Sequence, residues 1–467
     1  MPLEEAAARA PAATPPSAVR LAAHQQDEMI TSPEPVMVES PFREMDLAMA
    51  LAIADGQSTR IGLAAARYRE AYARLSASRI LWLPSLRAGA SYNHHDGRLQ
   101  NIEGDVVEVS RSALNAGFGA NGVAAGSPAV PGLIASFHAA DAVFQPRIAE
   151  YAASARYAAT RSETNDALLD VAVAYLNLLR AVQQLRIAEE TRDRAQQLVE
   201  LTASFAQSGA GTQADADRAL TELTLRQNDV TRAEEASIVA SARLAELLHL
   251  DPSQLIAPLE PTIAPIDLAP CDTPLPELLA TGLSNRPELA EARYLVWEAV
   301  QRYRREKYAP FIPSVLLGIS QSGFGGGTGS ELNDFGDRFD LDAVAFWEVR
   351  NLGLGERAQR GIAATRQQQA SWQHVQTMDR VAREVIEAHA QVTSRRRQIA
   401  VAEAGITAAA DSYRRNVGRI RDGQGLPLET LQSLQALDTA NREYLRTVIE
   451  YNEAQFRLQR ALGWPIQ

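Results

Sequence analysis

Few side chains in this 467-residue sequence stand at spacings that support chemistry. His94-His95 offers two imidazoles for a divalent metal. No cysteine or spaced carboxylate accompanies them, and a solvated pair at the head of a loop is the plainer reading. Gly323 to Gly329 has the glycine content of a phosphate-binding loop, yet no Gly-Lys-Ser/Thr follows it. The patterns HExxH, GxSxG and CxxC do not occur, and Cys271 is the sole cysteine, which excludes a disulfide framework or a cysteine metal site within one chain. These residues point to a protein that is not an enzyme and needs no cofactor. What remains is acids beside glycines. Asp422 and Glu429 flank Gly423-Gln424-Gly425, and Thr212-Gln213-Ala214-Asp215 follows Gly209-Ala210-Gly211. Asp215 and Glu429 suit helix N-termini, where a capping box and the helix dipole both favour an acid.

The elements that would hold these acids are long helices. From Arg147 to Ser208 there is no proline or glycine, and Leu168, Val171, Tyr175, Leu178, Val182 and Leu185 recur at the three- and four-residue steps of a heptad seam. Leu169, Leu176 and Leu179 form a second stripe, so this helix needs a neighbour on each side. After the glycines a second arm runs to His249-Leu250-Asp251-Pro252, making a helical hairpin with a tight turn. The glycines are expected to supply positive φ where the chain reverses.

The hairpin occurs twice. Gly423 follows Gly209 by 214 positions, and at that offset Asp215 maps on Glu429, Leu220 on Leu434, Leu223 on Leu437, Leu244 on Leu458 and Leu248 on Leu462. Val171 likewise maps on Val385 and Ala174 on Ala388. A register held over about 80 residues marks an internal duplication. The expected organisation is a leader over 1–40, a first repeat over 41–251, a proline-rich connector over 252–285 and a second repeat over 286–467.

The net charge of −11 argues against nucleic acid, which needs a basic face. No run of 18 apolar residues exists to span a bilayer as a helix. Met1-Pro2-Leu3-Glu4-Glu5 lacks the basic and apolar regions of a secretory signal, which by itself points to the cytoplasm.

Each repeat also carries a change of period from near 3.6 to 2. After Leu83-Pro84, Leu86, Ala88, Ala90 and Tyr92 alternate with polar residues, and after Ile312-Pro313, Val315, Leu317 and Ile319 alternate in the same way. Long loops are expected over 94–131 and 323–337, with second strands near Leu133–Phe144 and Phe339–Val349. Each repeat then reads helix, strand, strand, long helix, long helix. Strands with one apolar face cross a bilayer only in a closed barrel, and four strands are too few to close one. A membrane reading therefore requires several copies, with Leu86, Ala88, Tyr92, Val315, Leu317 and Ile319 facing lipid. The competing reading is a soluble helical scaffold.

The chain resembles the TolC-like outer-membrane efflux channels. The resemblance rests on Asn285-Arg286-Pro287-Glu288-Leu289, the strand entries Leu83-Pro84-Ser85 and Ile312-Pro313-Ser314, the stretch Ala174 to Leu179, the stretch Phe346 to Gly355, and both glycine tips. It implies a mainly α fold with a small β part. Duplicated hairpins would form a trimeric α-barrel, and four strands per chain would enter a shared transmembrane β-barrel. It further implies a homotrimer in the outer membrane that extends into the periplasm, the signal sequence being absent from this chain. Such a duct serves tripartite efflux or type I secretion, and its partners are a periplasmic adaptor and an inner-membrane transporter. The adaptor would dock on Gly209, Gly211, Thr212, Gly423, Gly425 and Leu426. Glu429 falls where the family narrows its pore with an acid, Gln432 where a second acid is common, and Asp422 just outside.

Overall fold

The structure, a computed structural model, describes residues 42–85, 89–118, 134–209, 211–251, 253–269, 273–328, 335–422 and 424–466. Leu86, Ala88, Gly423 and the leader lie outside the described residues. In chain order, β1 (Phe42–Met45) precedes α1 (Leu47–Gln57) and α2 (Thr59–Arg79). Then come β2 (Gly89–Gln100), β3 (Val106–Phe118), β4 (Ile134–His138), α3 (Ala139–Ser208) and α4 (Gln213–Leu248). The connector holds β5 (Leu255–Pro258) and α5 (Leu275–Asn285), and the second repeat holds α6 (Pro287–Tyr308), β6 (Ser314–Thr328), β7 (Phe335–Phe346), α7 (Leu354–Arg421) and α8 (Pro427–Ala461). The chain is mainly helical with a small antiparallel sheet. At 70 and 68 residues, α3 and α7 each extend on the order of 100 Å.

By its contacts the chain divides into two units. The first holds the described residues up to Ala64, with Ala159–Leu289 and those from Thr377 onward. Its core explains the two stripes of α3. Leu168, Val171, Tyr175, Leu176 and Leu178 bury themselves against Leu244, Ala245 and Leu248 of α4 and Leu445, Ile449 and Phe456 of α8. The duplicated positions build a second cluster of the same kind, in which Val385, Ala388, Leu458 and Leu462 meet. Tyr175 also donates its hydroxyl to the Met45 carbonyl at 3.0 Å and to the Glu260 carboxylate. Burial and that carboxylate both raise its pKa, so the phenol stays neutral.

The second unit comprises Ala65–Ala158 and Ala290–Gln376 and contains the large sheet. All its pairings are antiparallel. β7 lies along one edge of β6 from Ser314 to Gly325. Along the other edge, β4 pairs with Ser314–Gly318 and β3 with Ile319–Thr328. β3 and β4 thus occupy successive lengths of one lane, and β2 pairs outside β3. The sheet has four lanes, with β2 and β7 at its two edges.

Three expectations need correction. The strand expected over Leu133–Phe144 ends at His138, so Ala139 and Val143 are helical. Asp141 lies in the first turn of α3, where an acid suits the dipole, and it receives Arg305 at 2.7 Å. The loop expected over 94–131 holds the rest of β2 and all of β3, because polar residues on one face and a hairpin turn at Asn101–Asp105 mimic loop composition. The loop expected over 323–337 likewise shortens, since glycines carry no side chain to display alternation while β6 runs on to Thr328.

Candidate functional sites at the helical tips and on the sheet

The first tip closes through a backbone bond spanning six residues, Gly211 N–H to the Phe205 carbonyl at 3.0 Å. Gly209 has φ +75°, as expected at the reversal. Gly211 does not have positive φ; its requirement is space, because a Cβ there would lie 3.1 Å from the Phe205 Cβ. Thr212 then caps α4. Its Oγ1 accepts from the Asp215 N–H at 3.2 Å and donates to the Asp215 carboxylate at 2.7 Å.

The second tip repeats the closure, with Gly425 N–H donating to the Arg419 carbonyl at 2.9 Å. Gly425 is not in the left-handed region either, which corrects the expectation for this position. A Cβ there would sit 2.8 Å from the Ile420 nitrogen and 3.0 Å from the Arg419 carbonyl carbon. Leu426 occupies the N-cap without a side-chain bond, and Pro427 opens α8. Glu429, in the first turn, pairs with Arg419 at 3.0 Å. Its backbone carbonyl accepts from Asn416 at 3.3 Å. Asp422 and Gln432 are exposed. The two tips lie side by side. Leu198 and Ala219 of the first hairpin pack on Ile420 of the second, with Phe205 and Leu431 against them.

On the sheet, register places Tyr92, Val315, Leu317 and Ile319 on one face. Tyr92 stands opposite Leu114, which stands opposite Gly323, of the same parity as the other three. Val315, Leu317 and Ile319 face Ala345, Ala343 and Leu341, extending the apolar surface across β7. Tyr92, Leu317 and Ile319 are 67%, 49% and 45% exposed, while Val315 is half-buried. The opposite face is mixed, with Leu316, Val344 and Phe324 beside polar residues. There Ser320 and Ser322 stand against Asp340 and Arg338, and these last two pair at 2.8 Å. His94 and His95 fall on opposite faces of β2, and His94 meets Ser112 at 2.9 Å, so the two cannot share a metal. No cluster of three metal-binding side chains occurs among the described residues.

Arg286 and Glu288 belong to the Asn285-Arg286-Pro287-Glu288-Leu289 motif. Arg286 is 3% exposed and forks onto Glu288 at 2.8 Å and Glu384 at 2.7 Å. Arg460 joins the same group, reaching Asp166 and Glu384 at 2.7 Å and Glu288 at 3.1 Å. Burial alone would raise the pKa of Glu288, but the Arg286 hydrogen bond and charge, with Arg460, pull it below the usual value. A second polar group joins α3, α4 and α8. Asp438 receives Thr191, Arg226 and Arg442, while Glu222 receives Arg226 and Gln435. Apart from the near pairs Arg286–Glu288, Glu222–Arg226 and Asp438–Arg442, these partners lie far apart in sequence and leave no local signal.

Among the described residues no helix is long and apolar enough to cross a membrane. No protein-family profile matches the chain, and no curated protein matches its sequence. Solved structures do match. The outer-membrane channel OprN aligns with TM-score 0.72 and 19% identity, over 89% of each chain. CusC, whose structures concern folding and transmembrane channel formation, aligns with TM-score 0.71 and 19% identity over 90% of this chain and 92% of its own. VceC, an outer-membrane protein of Vibrio cholerae, aligns with TM-score 0.70 and 18% identity over 90% and 97%. The likeness covers nearly the whole of both partners and is one of fold: this chain has the fold of the TolC-like outer-membrane channels.

Proposed function

We propose that the chain is one subunit of a passive outer-membrane exit duct, a homotrimer serving a tripartite efflux or type I secretion system. The observation that carries this reading is the four-lane sheet, open at both edges, with an exposed apolar band on one face formed by Tyr92, Leu114, Leu317, Ile319, Phe339 and Leu341. Its strands β2, β3, β6 and β7 have 12 to 15 residues, enough to cross a bilayer at a tilt. In lipid an open edge leaves peptide groups unpaired, so β2 of one copy must pair with β7 of the next. Three copies give a twelve-stranded barrel, continued by the helices as a tunnel through the periplasm. Both tips, Gly209 to Thr212 and Gly425 to Leu426, would dock on a periplasmic adaptor joined to an inner-membrane transporter. The helix that begins at Pro427 would present Glu429 at the narrowest point, with Gln432 and Asp422 near it.

The test is Leu317→Arg. A charge on the lipid face near the bilayer midplane costs about 2–4 kcal/mol. We expect the variant to yield few heat-resistant trimers in the outer-membrane fraction, against abundant trimers for the unaltered chain. A soluble scaffold would tolerate arginine at this exposed position. Soluble monomers, or undiminished folded yield of Leu317→Arg, would overturn the membrane reading.

A further inference from the structure

All the helix-to-strand crossings of the second unit meet at one level. Trp82, at the end of the short turn after α2, stacks on Phe137 of β4 at 5.9 Å. Phe137 stands opposite Val315, and Ser314 opposite Phe346. Arg305 at the end of α6 binds Asp141 at the start of α3, and Arg350 joins Glu306 to Glu356 of α7. Large apolar side chains crowd the surface here. Trp82, Leu83, Phe311, Trp347, Leu352 and Leu354 are all exposed, and Trp82 joins the apolar band of the sheet through Phe137 and Val315.

Just on the helical side of these residues stand Arg79, Arg304, Lys307 and Arg357. Arg79, Lys307 and Arg357 are exposed and Arg304 half-buried, and none of the four meets a carboxylate among the described residues. Lys307 is the sole lysine of the sequence, and its ammonium lies over the Tyr308 ring at 5.2 Å. Glu348 is an exposed acid at this level, outnumbered by the bases. The far end of the sheet has the opposite sign. The β2–β3 turn there carries Glu103 and Asp105 and no base.

We propose that this collar binds the headgroups of anionic phospholipids in the leaflet on the helical side of the membrane. The inference rests on the membrane reading above. Depth supports it: Lys307 precedes Phe311 by four residues and Arg79 precedes Trp82 by three, about 6 Å or less along a helix. The headgroup zone on each side of a bilayer is about 5–7 Å thick. Tryptophan at the interface with bases just beyond it meets acyl chain and phosphate together, which an acidic soluble partner would not.

The test uses the full chain reconstituted in vesicles of phosphatidylethanolamine mixed with phosphatidylglycerol, probed with a spin-labelled form of each lipid. Each base near an anionic surface is worth about fivefold in association. The unaltered chain is therefore expected to restrict the phosphatidylglycerol label several-fold more than the phosphatidylethanolamine label, with salt eroding the difference. The triple variant Arg79→Gln, Lys307→Gln, Arg357→Gln should lose that preference while restricting the same total lipid. Arg79→Lys with Arg357→Lys should keep it, as a charge effect requires. Should the triple variant fail to insert, Lys307→Gln alone is expected to show a partial loss. Equal restriction of the two labels by the unaltered chain, or an undiminished preference in the inserted variants, overturns the proposal. Failure to restrict either label would instead remove the membrane reading and this proposal with it.

Discussion

The two helical tips close with the same backbone bond and stabilise it by different chemistry. At the first, Gly211 returns to Phe205, and the acid of the next helix, Asp215, is held by the Thr212 hydroxyl at 2.7 Å. At the second, Gly425 returns to Arg419, the residue equivalent to Phe205, and Glu429, equivalent to Asp215, pairs with that arginine. Two differences between the duplicated tips, Phe205 against Arg419 and Thr212 against Leu426, re-route the acid from its own cap to the preceding helix. The second tip thereby became electrostatic and uncapped at Leu426, while the first stayed capped and closes on an aromatic residue. Duplication conserved the turn and freed the side chains.

The largest effect should come from the turn itself. Gly425→Val drives a branched side chain into the Ile420 nitrogen and the Arg419 backbone, neither of which can rotate away. It is expected to abolish transport in cells while leaving heat-resistant trimers at normal yield. Gly211→Ala meets a Cβ at 3.1 Å and should cost less than half as much activity, because Phe205 can give a few tenths of an ångström. If the two glycines proved equally intolerant, the difference in their surroundings would have no consequence. Full transport by Gly425→Val would remove the docking role of the second tip.

How much of this was legible in sequence follows from range. The seam of Leu168, Val171, Tyr175 and Leu178, the duplication and the Thr212 cap rest on contacts repeated every few residues, and they appear in the structure as read. The offset of 214 also matched Leu220 to Leu434, yet Leu220 is 53% exposed and Leu434 fully buried, because the repeats have different neighbours. β3 was hidden inside a stretch of loop-like composition. Gly211 and Gly425 are glycine for space and not for positive φ, since close approach to residues 205 and 419 is a tertiary fact that φ preference alone does not encode. The Arg286–Glu288–Glu384–Arg460 group spans both ends of the second repeat, and only its Arg286–Glu288 pair is local.

A smaller effect tests the caps. Thr212→Ala removes the acceptor for the Asp215 N–H and should cost about 1 kcal/mol locally. Amide exchange in the first turn of α4 should quicken by roughly fivefold, as local opening governs exchange there. Leu426→Ser supplies the side-chain oxygen that the second tip lacks, and it should slow exchange at the start of α8 by a similar factor. If Leu426→Ser left exchange unchanged, the tips would not differ in capping energy, and the contrast would reduce to the charge pair.

The smallest effect on stability, and the most specific, concerns that pair. Side chains about half exposed contribute only about 0.2–1 kcal/mol through an ion pair, so Arg419→Phe, which copies the first tip, should leave trimer yield intact. Its effect on permeation is different in kind. In the proposed duct Glu429 stands once per subunit at the narrow end, where three carboxylates would favour cations and three arginines, each 3.0 Å from its carboxylate, would offset much of that field. Arg419→Phe should therefore raise the cation preference measured from the reversal potential under a salt gradient. Glu429→Gln should lower it below that of the unaltered chain, and the double variant should fall between the two single ones. A pair that acts only as a strut would move neither reversal potential, and the narrowing would then lie at other residues than Glu429.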